Sequence, residues 1–520
     1  MKKQTTLMED YDSKESLLFV DRGREESIYA NTLFCAAINS KFKKKVFLLS
    51  NFKNKKLLET YKKLGFKNFI NTRLIKVRIL ILIKTLFLFV KCLLKLSNKK
   101  RGFFWFINNF KVDKILIGDL VYDSYINYNS NYLNPKFDFY FLKLLFSAIY
   151  KTLLIKKYIL KYKVRIIITG TEHYSYSSGL AIRISTYLKG IKNFMWNSPG
   201  IDSFIEIVQI KKENKIIGYN SLQDKIILKR FNNLKINKNF LDKFYNARKN
   251  NLEKINFYTR NSHRVANTGN GSNFISKIKK SKKNYLGKVI LFASHRLSDA
   301  VHMLGISYAF KDYYDQFQKT LSYAYHNDNK NIWIFRAHPF SNLGNAKERK
   351  ELNNLIKKYK KSNIFFCPVG VPIEELKENI DFVITGRGTV ALEFLCEQKP
   401  VLLAGIPRFY HAKLGINYYL KEDEYFSAIS NIEKIKKPSL ENKNIARKIL
   451  FFYEKGLHTK YKLDYELLKK DKFAHQIFET TILSKKKKSF NMEYLLDTKL
   501  ISYSNKGVFF LMLKKLLKLI

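Results

Sequence analysis

Residues 381–394 read DFVITGRGTVALEF, and this stretch decides the fold. Its apolar run ends at Gly386, a second glycine follows at position 388, and helix-forming residues come next. Thr389 is a typical N-cap residue for such a helix. A strand that leads through a glycine-containing turn into a helix is the building unit of parallel α/β sheets. The stretch therefore predicts an α/β fold.

The same alternation of apolar runs and helices continues on both sides of this stretch. Further strands of the second half are predicted within residues 288–297, 331–339, 363–368 and 400–405. In the first half, strands are predicted within residues 15–50, 114–120, 165–174 and 192–200, with a long helix near 138–162. We therefore predict two Rossmann-type doubly wound domains that face a central cleft, followed by a helical C-terminal tail.

A polar segment separates the two halves. Residues 261–284 contain glycines and show no clear periodicity, which is typical of a domain boundary. We predict an N-terminal domain over residues 1–265, a C-terminal domain over residues 285–430 and the helical tail over residues 431–520.

The composition points to an anionic partner. The chain of 520 residues has 96 Lys and Arg against 43 Asp and Glu, a net charge of +53. Such a charge favours nucleic acid, anionic lipid, or a phosphorylated or acidic-sugar substrate. No RNA-binding signature accompanies it, so no nucleic acid is expected. The 4 cysteines are scattered and the N-terminus has no apolar signal region, which predicts a cytoplasmic protein.

Two basic amphipathic segments, residues 77–96 and 507–520, indicate that the anionic partner is a lipid surface. Their lysines fall on one side of each predicted helix: Lys84, Lys91 and Lys95 in the first, and Lys514, Lys515 and Lys518 in the second. The charges are too many for a membrane-spanning helix. Helices of this kind lie on anionic membrane surfaces. Core helices with a lysine face are the alternative.

A phosphate site is predicted where the strand of WIFRAHPF (residues 333–340) ends. Pro339 stops the strand. Arg336 offers a planar fork of donors to a phosphate, and His338 offers a donor whose charge can be tuned. A histidine that merely occupies a turn is the alternative.

The opening stretch predicts the nucleotide side of the same site. Gly386 and Gly388 permit positive φ or close approach of the backbone to a ligand. The helix after Thr389 presents free N–H groups to an anion. Glu393 lies four residues after Thr389, whereas a capping box needs the acid at three, so we expect its carboxylate to accept hydrogen bonds from ribose hydroxyls. A structural turn followed by an exposed glutamate is the alternative.

Other polar residues at predicted strand ends complete a cleft. We expect His295, Asp299, His302, Tyr410 and His411 to border the substrate. Their spacing matches no zinc pattern, so no metal is predicted. Transfer to a hydroxyl group needs a general base, and the candidates are Asp119, Asp123, Glu172 and His173. Helix capping is the alternative for Asp119 and Asp123.

Four segments carry a resemblance to a known family: GDLVYDSYI, FASHRLSDAVHMLG, IFRAHPF and ITGRGTVALEFLCEQKPVLLAGIPRFYH. They resemble capsular and surface polysaccharide biosynthesis glycosyltransferases of GT-B type, a group that includes relatives of the bacterial capsule Kdo transferases. The resemblance is best over residues 285–420 and weaker over 112–200. The His-Pro motif is also similar to that of bacterial GT-B sialyltransferases.

The resemblance implies roles for several residues. It places His338 and Thr389 on the phosphate of a CMP-sugar and Glu393 on the nucleotide ribose. It also implies a nucleotide-sugar donor as substrate, with no cofactor and no catalytic metal. The acidic-acidic-glycine motif of the sialyltransferases is not evident, which leaves the base open. Arg387, between the two glycines, adds a positive charge that would neutralise the leaving phosphate.

The leading hypothesis is therefore a glycosyltransferase peripheral to the inner face of the cytoplasmic membrane. Residues 1–265 would bind a surface polysaccharide or lipid-linked acceptor, and residues 285–430 would bind the nucleotide-sugar. A polyol-phosphate transferase of the teichoic-acid type is the first alternative. A basic scaffold that binds lipid or nucleic acid is the second.

Overall fold

The computed structural model describes residues 11–21, 32, 35, 36, 38, 39, 42–50, 55–71, 79–97, 102–128, 135–169, 179–188, 190–197, 204–210, 222–250, 270–302, 308–338, 346–368, 371, 373–455, 457 and 461–464. Its strands are β1 (Ser16–Val20), β2 (Lys45–Ser50), β3 (Asn68–Asn71), β4 (Lys111–Val112), β5 (Ile115–Leu116), β6 (Val164–Thr169), β7 (Lys192–Asn197), β8 (Phe204–Ile210), β9 (Val289–Ala293), β10 (Ile332–Arg336), β11 (Ile364–Phe366), β12 (Phe382–Thr385), β13 (Val401–Leu403), β14 (Asn417–Tyr418) and β15 (Tyr461–Asp464).

Its helices are α1 (Lys55–Lys63), α2 (Ile79–Leu96), α3 (Phe103–Asn109), α4 (Gly118–Tyr128), α5 (Phe139–Lys161), α6 (Leu180–Tyr187), α7 (Lys225–Asn233), α8 (Lys238–Asn250), α9 (Asn270–Lys282), α10 (Tyr313–Asn327), α11 (Ala346–Lys358), α12 (Ile373–Lys377), α13 (Val390–Leu395), α14 (Glu422–Ser430) and α15 (Leu440–Glu454). Two 3₁₀ turns, Ala412–Leu414 and Ile432–Lys434, follow β13 and α14. No helix of these described segments is long and apolar enough to cross a membrane.

The first sheet has the order β15-β8-β7-β6-β1-β2-β3. Strands β1, β2, β3, β6 and β7 are parallel, whereas β8 is antiparallel to both β7 and β15. The strand order reverses between β1 and β6, so the centre of this sheet is doubly wound.

The second sheet is wholly parallel, with the order β11-β10-β9-β12-β13-β14. Alternate residues of β9 enter different core clusters: Ile290 and Phe292 on one side, Val289 and Leu291 on the other. Apolar layers therefore cover both faces, which explains the nearly continuous apolar runs in the sequence. The predicted α/β fold with two doubly wound sheets is confirmed.

One local prediction was wrong. Residues 114–120 were expected to form a strand, but β5 is a two-residue strand paired with β4, and helix α4 begins at Gly118. Within the predicted boundary segment, α9 occupies residues 270–282. Its Phe274 and Ile278 are buried one turn apart, and two apolar anchors are enough to dock a polar helix.

The last described segments lead back to the first sheet. Helix α15 begins with a capping box at Ser439 and Asn442. Beyond it, β15 pairs with β8. Residues 465–520, which include the predicted basic amphipathic C-terminus, lie outside the described residues.

Candidate functional site

The site lies at the switch point of the second sheet. Strands β9 and β12 are neighbours there, and the chain order runs in opposite directions on either side of them. Open α/β sheets bind ligands beyond the carboxyl ends of such strands. His295 follows β9 and Arg387 follows β12, and the Arg387 backbone N–H donates to His295 Nε2 at 3.1 Å.

Side-chain packing leaves no room for a Cβ at Gly386 and little room at Gly388. A Cβ at Gly386 would lie 2.8 Å from both Tyr308 Oη and Tyr313 Cε1, and 3.0 Å from His295 Cδ2. A Cβ at Gly388 would lie 3.3 Å from His295 Nε2. Neither glycine has a positive φ, and the approach of their backbone to a ligand stays a prediction.

The Arg387 side chain is buried within the same packing. Its Nη1 donates to the Val301 carbonyl oxygen at 3.1 Å, and its guanidinium carbon lies 5.0 Å from the centre of the Tyr308 ring. The His295 ring stacks on Tyr313 at 4.2 Å. Tyr308 and Tyr313 thus fix the guanidinium and the imidazole in position before any ligand binds.

Strand β10, which neighbours β9, brings two more basic residues to this edge. Arg336 is its last residue, and Nη2 of Arg336 donates to the Val371 carbonyl oxygen at 3.2 Å. His338 follows two residues later. We name His295, Arg296, Arg336, His338 and Arg387 the basic cluster, because the charges of these side chains act on one another.

The two histidines of the basic cluster are neutral at pH 7. Burial lowers the pKa of His295 to about 3, and the charges of His338 and Arg387 contribute. Burial lowers the pKa of His338 to about 4, with contributions from Arg336 and Arg296. Because His295 Nε2 accepts from Arg387, its proton is on Nδ1. An anion that binds here would relieve the repulsion among these cations.

Helix α4 belongs to the part of the chain that forms the first sheet, which we call the first unit. Its side chains contact the part that forms the second sheet, which we call the second unit. Asp123 is completely buried, and its Oδ1 lies 2.6 Å from Nδ1 of His302, while its Oδ2 accepts from the His302 backbone N–H at 3.1 Å. The neighbouring Tyr122 hydroxyl donates to Asp312 at the start of α10. Burial raises the pKa of Asp123, and His302 acts in the opposite direction. Asp123 also acts electrostatically on Arg387, so this pair borders the basic cluster.

Asp119 is in a different environment from Asp123. Arg183 of α6 donates to both of its carboxylate oxygens, at 2.9 and 2.8 Å, and also to the Leu116 carbonyl oxygen at 2.8 Å. Asp119 is 1% exposed and Arg183 is 7% exposed. This forked ion pair ties α4 to α6, and both oxygens of Asp119 are engaged in it.

Glu393 and Thr389 lie on either side of the start of α13. Thr389 occupies the N-cap position and is exposed, but its side chain makes no capping hydrogen bond. The Glu393 carboxylate accepts from Arg248 Nη2 at 2.8 Å, and Arg248 also pairs with Glu454. Arg248, and to a smaller degree Lys377, lowers the pKa of Glu393 against the effect of burial. This ion pair joins α8, α13 and α15, and the role of Glu393 toward a ribose stays a prediction.

Of the other predicted site residues, Asp299 acts on Tyr313 of the site, Tyr410 and His411 pack elsewhere, and three lie outside the described residues. The His411 ring packs against Phe231, and His411 Nδ1 accepts from the Lys413 backbone N–H at 3.2 Å. Tyr410 packs edge-on against Tyr418. Asp299 accepts from the Ala300 N–H at 2.9 Å and acts electrostatically on Tyr313. Pro339, Glu172 and His173 lie outside the described residues.

Sequence reasoning missed three contributors: Arg296, Tyr308 and Tyr313. Arg296 was within a quoted motif, directly after His295, and its charge was the available signal. The tyrosines come from the start of α10 and the segment before it, and their contact with Gly386 depends on the fold. A chain with 33 tyrosines gives no reason to select these two.

The family comparison covers this site. Residues 201–430 match the family model described as "Capsule polysaccharide biosynthesis protein". The predicted resemblance to capsule and surface polysaccharide biosynthesis proteins is thereby confirmed, and the matched span, just under half of the chain, contains the whole basic cluster. No curated protein sequence matches the chain.

The chain is also similar to several solved structures. A glycosyltransferase from Rickettsia africae is 13% identical, with 92% of this chain and 100% of that chain covered and a TM-score of 0.26. The KpsC β-Kdo 2,4 transferase of Thermosulfurimonas dismutans is 12% identical, with 55% and 79% covered and a TM-score of 0.33. Anabaena HepE in complex with UDP is 11% identical, with 90% and 99% covered and a TM-score of 0.27.

Proposed function

We propose that this protein is a glycosyltransferase that moves a sugar from a nucleotide-sugar, with a CMP-linked sugar as one candidate donor, to a surface polysaccharide or lipid-linked glycan. The family match over residues 201–430 supports a role in capsule biosynthesis. In this proposal residues 285–430 bind the donor, residues 1–265 bind the acceptor and residues 431–520 form the tail. The reaction needs no metal and no cofactor.

The observation that carries the proposal is the basic cluster at the switch point. Three guanidinium groups and two neutral imidazoles, from the ends of β9, β10 and β12, act on one another there. Fixed cations of this kind stabilise the negative charge that develops on a departing phosphate. Arg336, His338 and Arg387 would bind the phosphate, with Pro339, Gly386 and Gly388 shaping the backbone. Thr389 and Glu393 keep their predicted places on the phosphate and the ribose.

We propose the His302–Asp123 pair as the proton acceptor. When Nδ1–H of His302 donates to Asp123, Nε2 is left to take the proton of the acceptor hydroxyl. The acceptor oxygen then bonds to the anomeric carbon, the bond from that carbon to the phosphate oxygen breaks, and the charge stays on the nucleotide. Asp119 would act only by holding α4 in place. Glu172 and His173 remain alternative bases.

We propose supporting roles for the remaining cleft residues. His295 and Asp299 would border the donor, and Tyr410 and His411 would line the loop after β13. We place the protein in the cytoplasm on the inner face of the membrane, where an anionic lipid surface is a partner and nucleic acid is not. The net charge of +53 supports this location.

Calorimetry with CMP and UDP tests the donor site. We expect His338→Ala to weaken binding of the preferred nucleotide about tenfold or more, because a phosphate loses a donor that becomes charged when the anion binds. His326→Ala is the matched control, since this exposed histidine of α10 lies outside the basic cluster. Unchanged affinity in His338→Ala, or an equal loss in the control, would show that the site is wrongly placed.

The base assignment and the alternative function need a turnover assay. After nucleotide-sugars have been screened for donor hydrolysis, Asp123→Asn should bind the nucleotide normally but lose transfer. Loss of nucleotide binding in that variant would contradict the assignment. A polyol-phosphate transferase would use the same phosphate site, and phosphate that travels with the transferred group would identify it.

A further inference from the structure

Exposed apolar side chains are concentrated on three helices of the first unit. Among the described residues, 12 of the 18 large hydrophobic side chains that are exposed lie on α2, α3 and α5 or directly before α5. Leu80 is 79% exposed, Phe87 65%, Leu94 70% and Phe139 81%. Folded proteins rarely leave so many large apolar groups in water without a partner for them.

Helix α2 lies with its apolar side outward. Its buried residues are few, and they are Ile81, Thr85, Cys92 and Leu96. The outward half carries Leu80, Ile83, Leu86, Phe87, Val90 and Leu94. The apolar periodicity of α2 therefore does not indicate a core helix, because its larger apolar stripe faces away from the core.

The exposed groups form one surface. Lys84 of α2 and Lys156 of α5 both pair with Asp113, at 3.0 and 3.1 Å, and Phe89 packs against Phe146 further along. The two helices are therefore antiparallel neighbours, with the start of α5 beside the end of α2. Lys95 Nζ lies 5.9 Å from the Trp105 ring centre, which brings α3 to the same end.

The charged residues within these three helices have one sign, and Asp113, outside them, pairs with two of their lysines. Helices α2, α3 and α5 contain no Asp or Glu. Their exposed cations are Lys84, Lys91 and Lys95 of α2 and Lys143, Lys157 and Lys161 of α5. Lys91 Nζ lies 6.0 Å from the Phe87 ring centre, so ammonium groups and apolar groups alternate over short distances. We name this surface, formed by α2, α3 and α5, the lysine-apolar face.

We propose that the lysine-apolar face lies in the headgroup region of an anionic membrane, with the apolar side chains of α2 inserted among the acyl chains. Apolar groups flanked by lysines are the composition that binds such interfaces. This inference specifies which face makes the membrane contact proposed above, and none of its residues belongs to the basic cluster.

Charge disfavours the other occupants. A second copy of the chain would bring lysines against lysines, and like charges at an interface are repulsive. The chain's own residues 507–520 carry Lys514, Lys515 and Lys518, so their seating on this face would meet the same repulsion. An anionic lipid surface matches both the apolar groups and the cations.

Vesicle sedimentation tests the proposal, with the protein lacking residues 507–520 alongside the full chain so that binding by the tail cannot mask the result. Vesicles of phosphatidylglycerol and phosphatidylcholine are compared with phosphatidylcholine alone. We expect Phe87→Ser with Leu94→Ser to lower partitioning onto the anionic vesicles about tenfold or more. Lys84→Gln, Lys91→Gln and Lys95→Gln together should remove most of the preference for anionic lipid.

The matched control is Leu286→Ser, because this leucine is 98% exposed but lies just before β9. It should bind vesicles as the parent protein does. Equal binding by the Phe87 and Leu94 variant and the parent would overturn the proposal, as would an equal loss in the control. A change of oligomeric state in ultracentrifugation with unchanged vesicle binding would also overturn it, in favour of contact between copies. Calorimetry with CMP and UDP on the same variants distinguishes a loss of membrane binding from a loss of nucleotide binding at the donor site.

Discussion

At the scale of single residues, the two histidines of the basic cluster make the protein sensitive to acid. Their pKa values are about 3 for His295 and about 4 for His338 in the folded protein, against 6.5 for an ordinary histidine. Above pH 6.5 neither the folded nor the unfolded protein binds a proton at these positions, so the two histidines do not change the free energy of unfolding there. As the pH falls below 6.5 the unfolded chain takes up protons that the folded protein refuses, so stability is lost.

We therefore expect the free energy of unfolding to fall as the pH is lowered from about 6.5 to 4. His338→Asn should reduce this dependence by up to about 1.4 kcal/mol per pH unit, because one group that titrates only in the unfolded state has been removed. Urea unfolding between pH 7 and 4 measures the difference, with His326→Asn on the exposed side of α10 as the control. Parallel curves for His338→Asn and the parent would refute the assignment.

Gly386 supports the site because its lack of a side chain leaves space for the Tyr308 and Tyr313 rings. An alanine Cβ there would meet Tyr308 Oη and Tyr313 Cε1 at 2.8 Å. These rings are buried and have little room to move, so we expect Gly386→Ala to lower the free energy of unfolding by about 1–3 kcal/mol.

Gly102→Ala is the control for that substitution, because a Cβ at Gly102 meets nothing within 4 Å. Denaturant unfolding compares the two variants. If Gly386→Ala is no less stable than Gly102→Ala, the packing around Gly386 is looser than the structure shows.

At the scale of elements, helix α4 makes two different contacts through its carboxylates, an ion pair at Asp119 and a hydrogen bond to an imidazole at Asp123. Asp119 binds Arg183 of α6 within the first unit, whereas Asp123 binds His302 of the second unit. The four-residue spacing puts both carboxylates on one side of the helix, one turn apart. Any shift of α4 against α6 would therefore be passed to His302.

We expect Arg183→Met to destabilise the protein by about 3–5 kcal/mol, because it leaves the Asp119 carboxylate buried without its forked partner. Asp119→Leu combined with Arg183→Met should recover much of this loss, since no charge is then buried. Thermal or denaturant unfolding measures both. Lys413→Met is the control, because the pair of Lys413 with Glu441 is exposed and should contribute little. A loss in Arg183→Met no larger than in the control would mean that α4 is held by its apolar contacts alone.

At the scale of the whole molecule, the apolar runs predicted the two sheets because parallel strands buried on both faces need them. The residues at the strand ends were predictable for the same reason. Pro339 and Gly386 stop two of these runs, and polar residues stop the run before His295, so His295, Arg336, His338 and Arg387 had to lie at the ends of strands. These four residues come together because the strand order places β10, β9 and β12 side by side.

Contacts between distant segments could not be predicted. The pair of Asp123 and His302 joins residues 179 positions apart, and that of Arg248 and Glu393 joins residues 145 apart. Periodicity informs only about neighbours along a helix or strand. It also does not tell which side of an amphipathic helix faces the core, so the sequence left open whether the apolar side of α2 faces a membrane or the core.

The pairing of β15 with β8 has a consequence for synthesis. The first sheet begins with residues 16–20 but receives its last strand from residues 461–464. A ribosome must therefore complete the entire second sheet before β15 can join the first one. Until then the edge of the first sheet is the seven-residue β8 and not the four-residue β15, and long open edges invite pairing with other chains. Nascent chains that end before residue 461 should aggregate more readily than chains that include it, whether or not the second sheet has already formed.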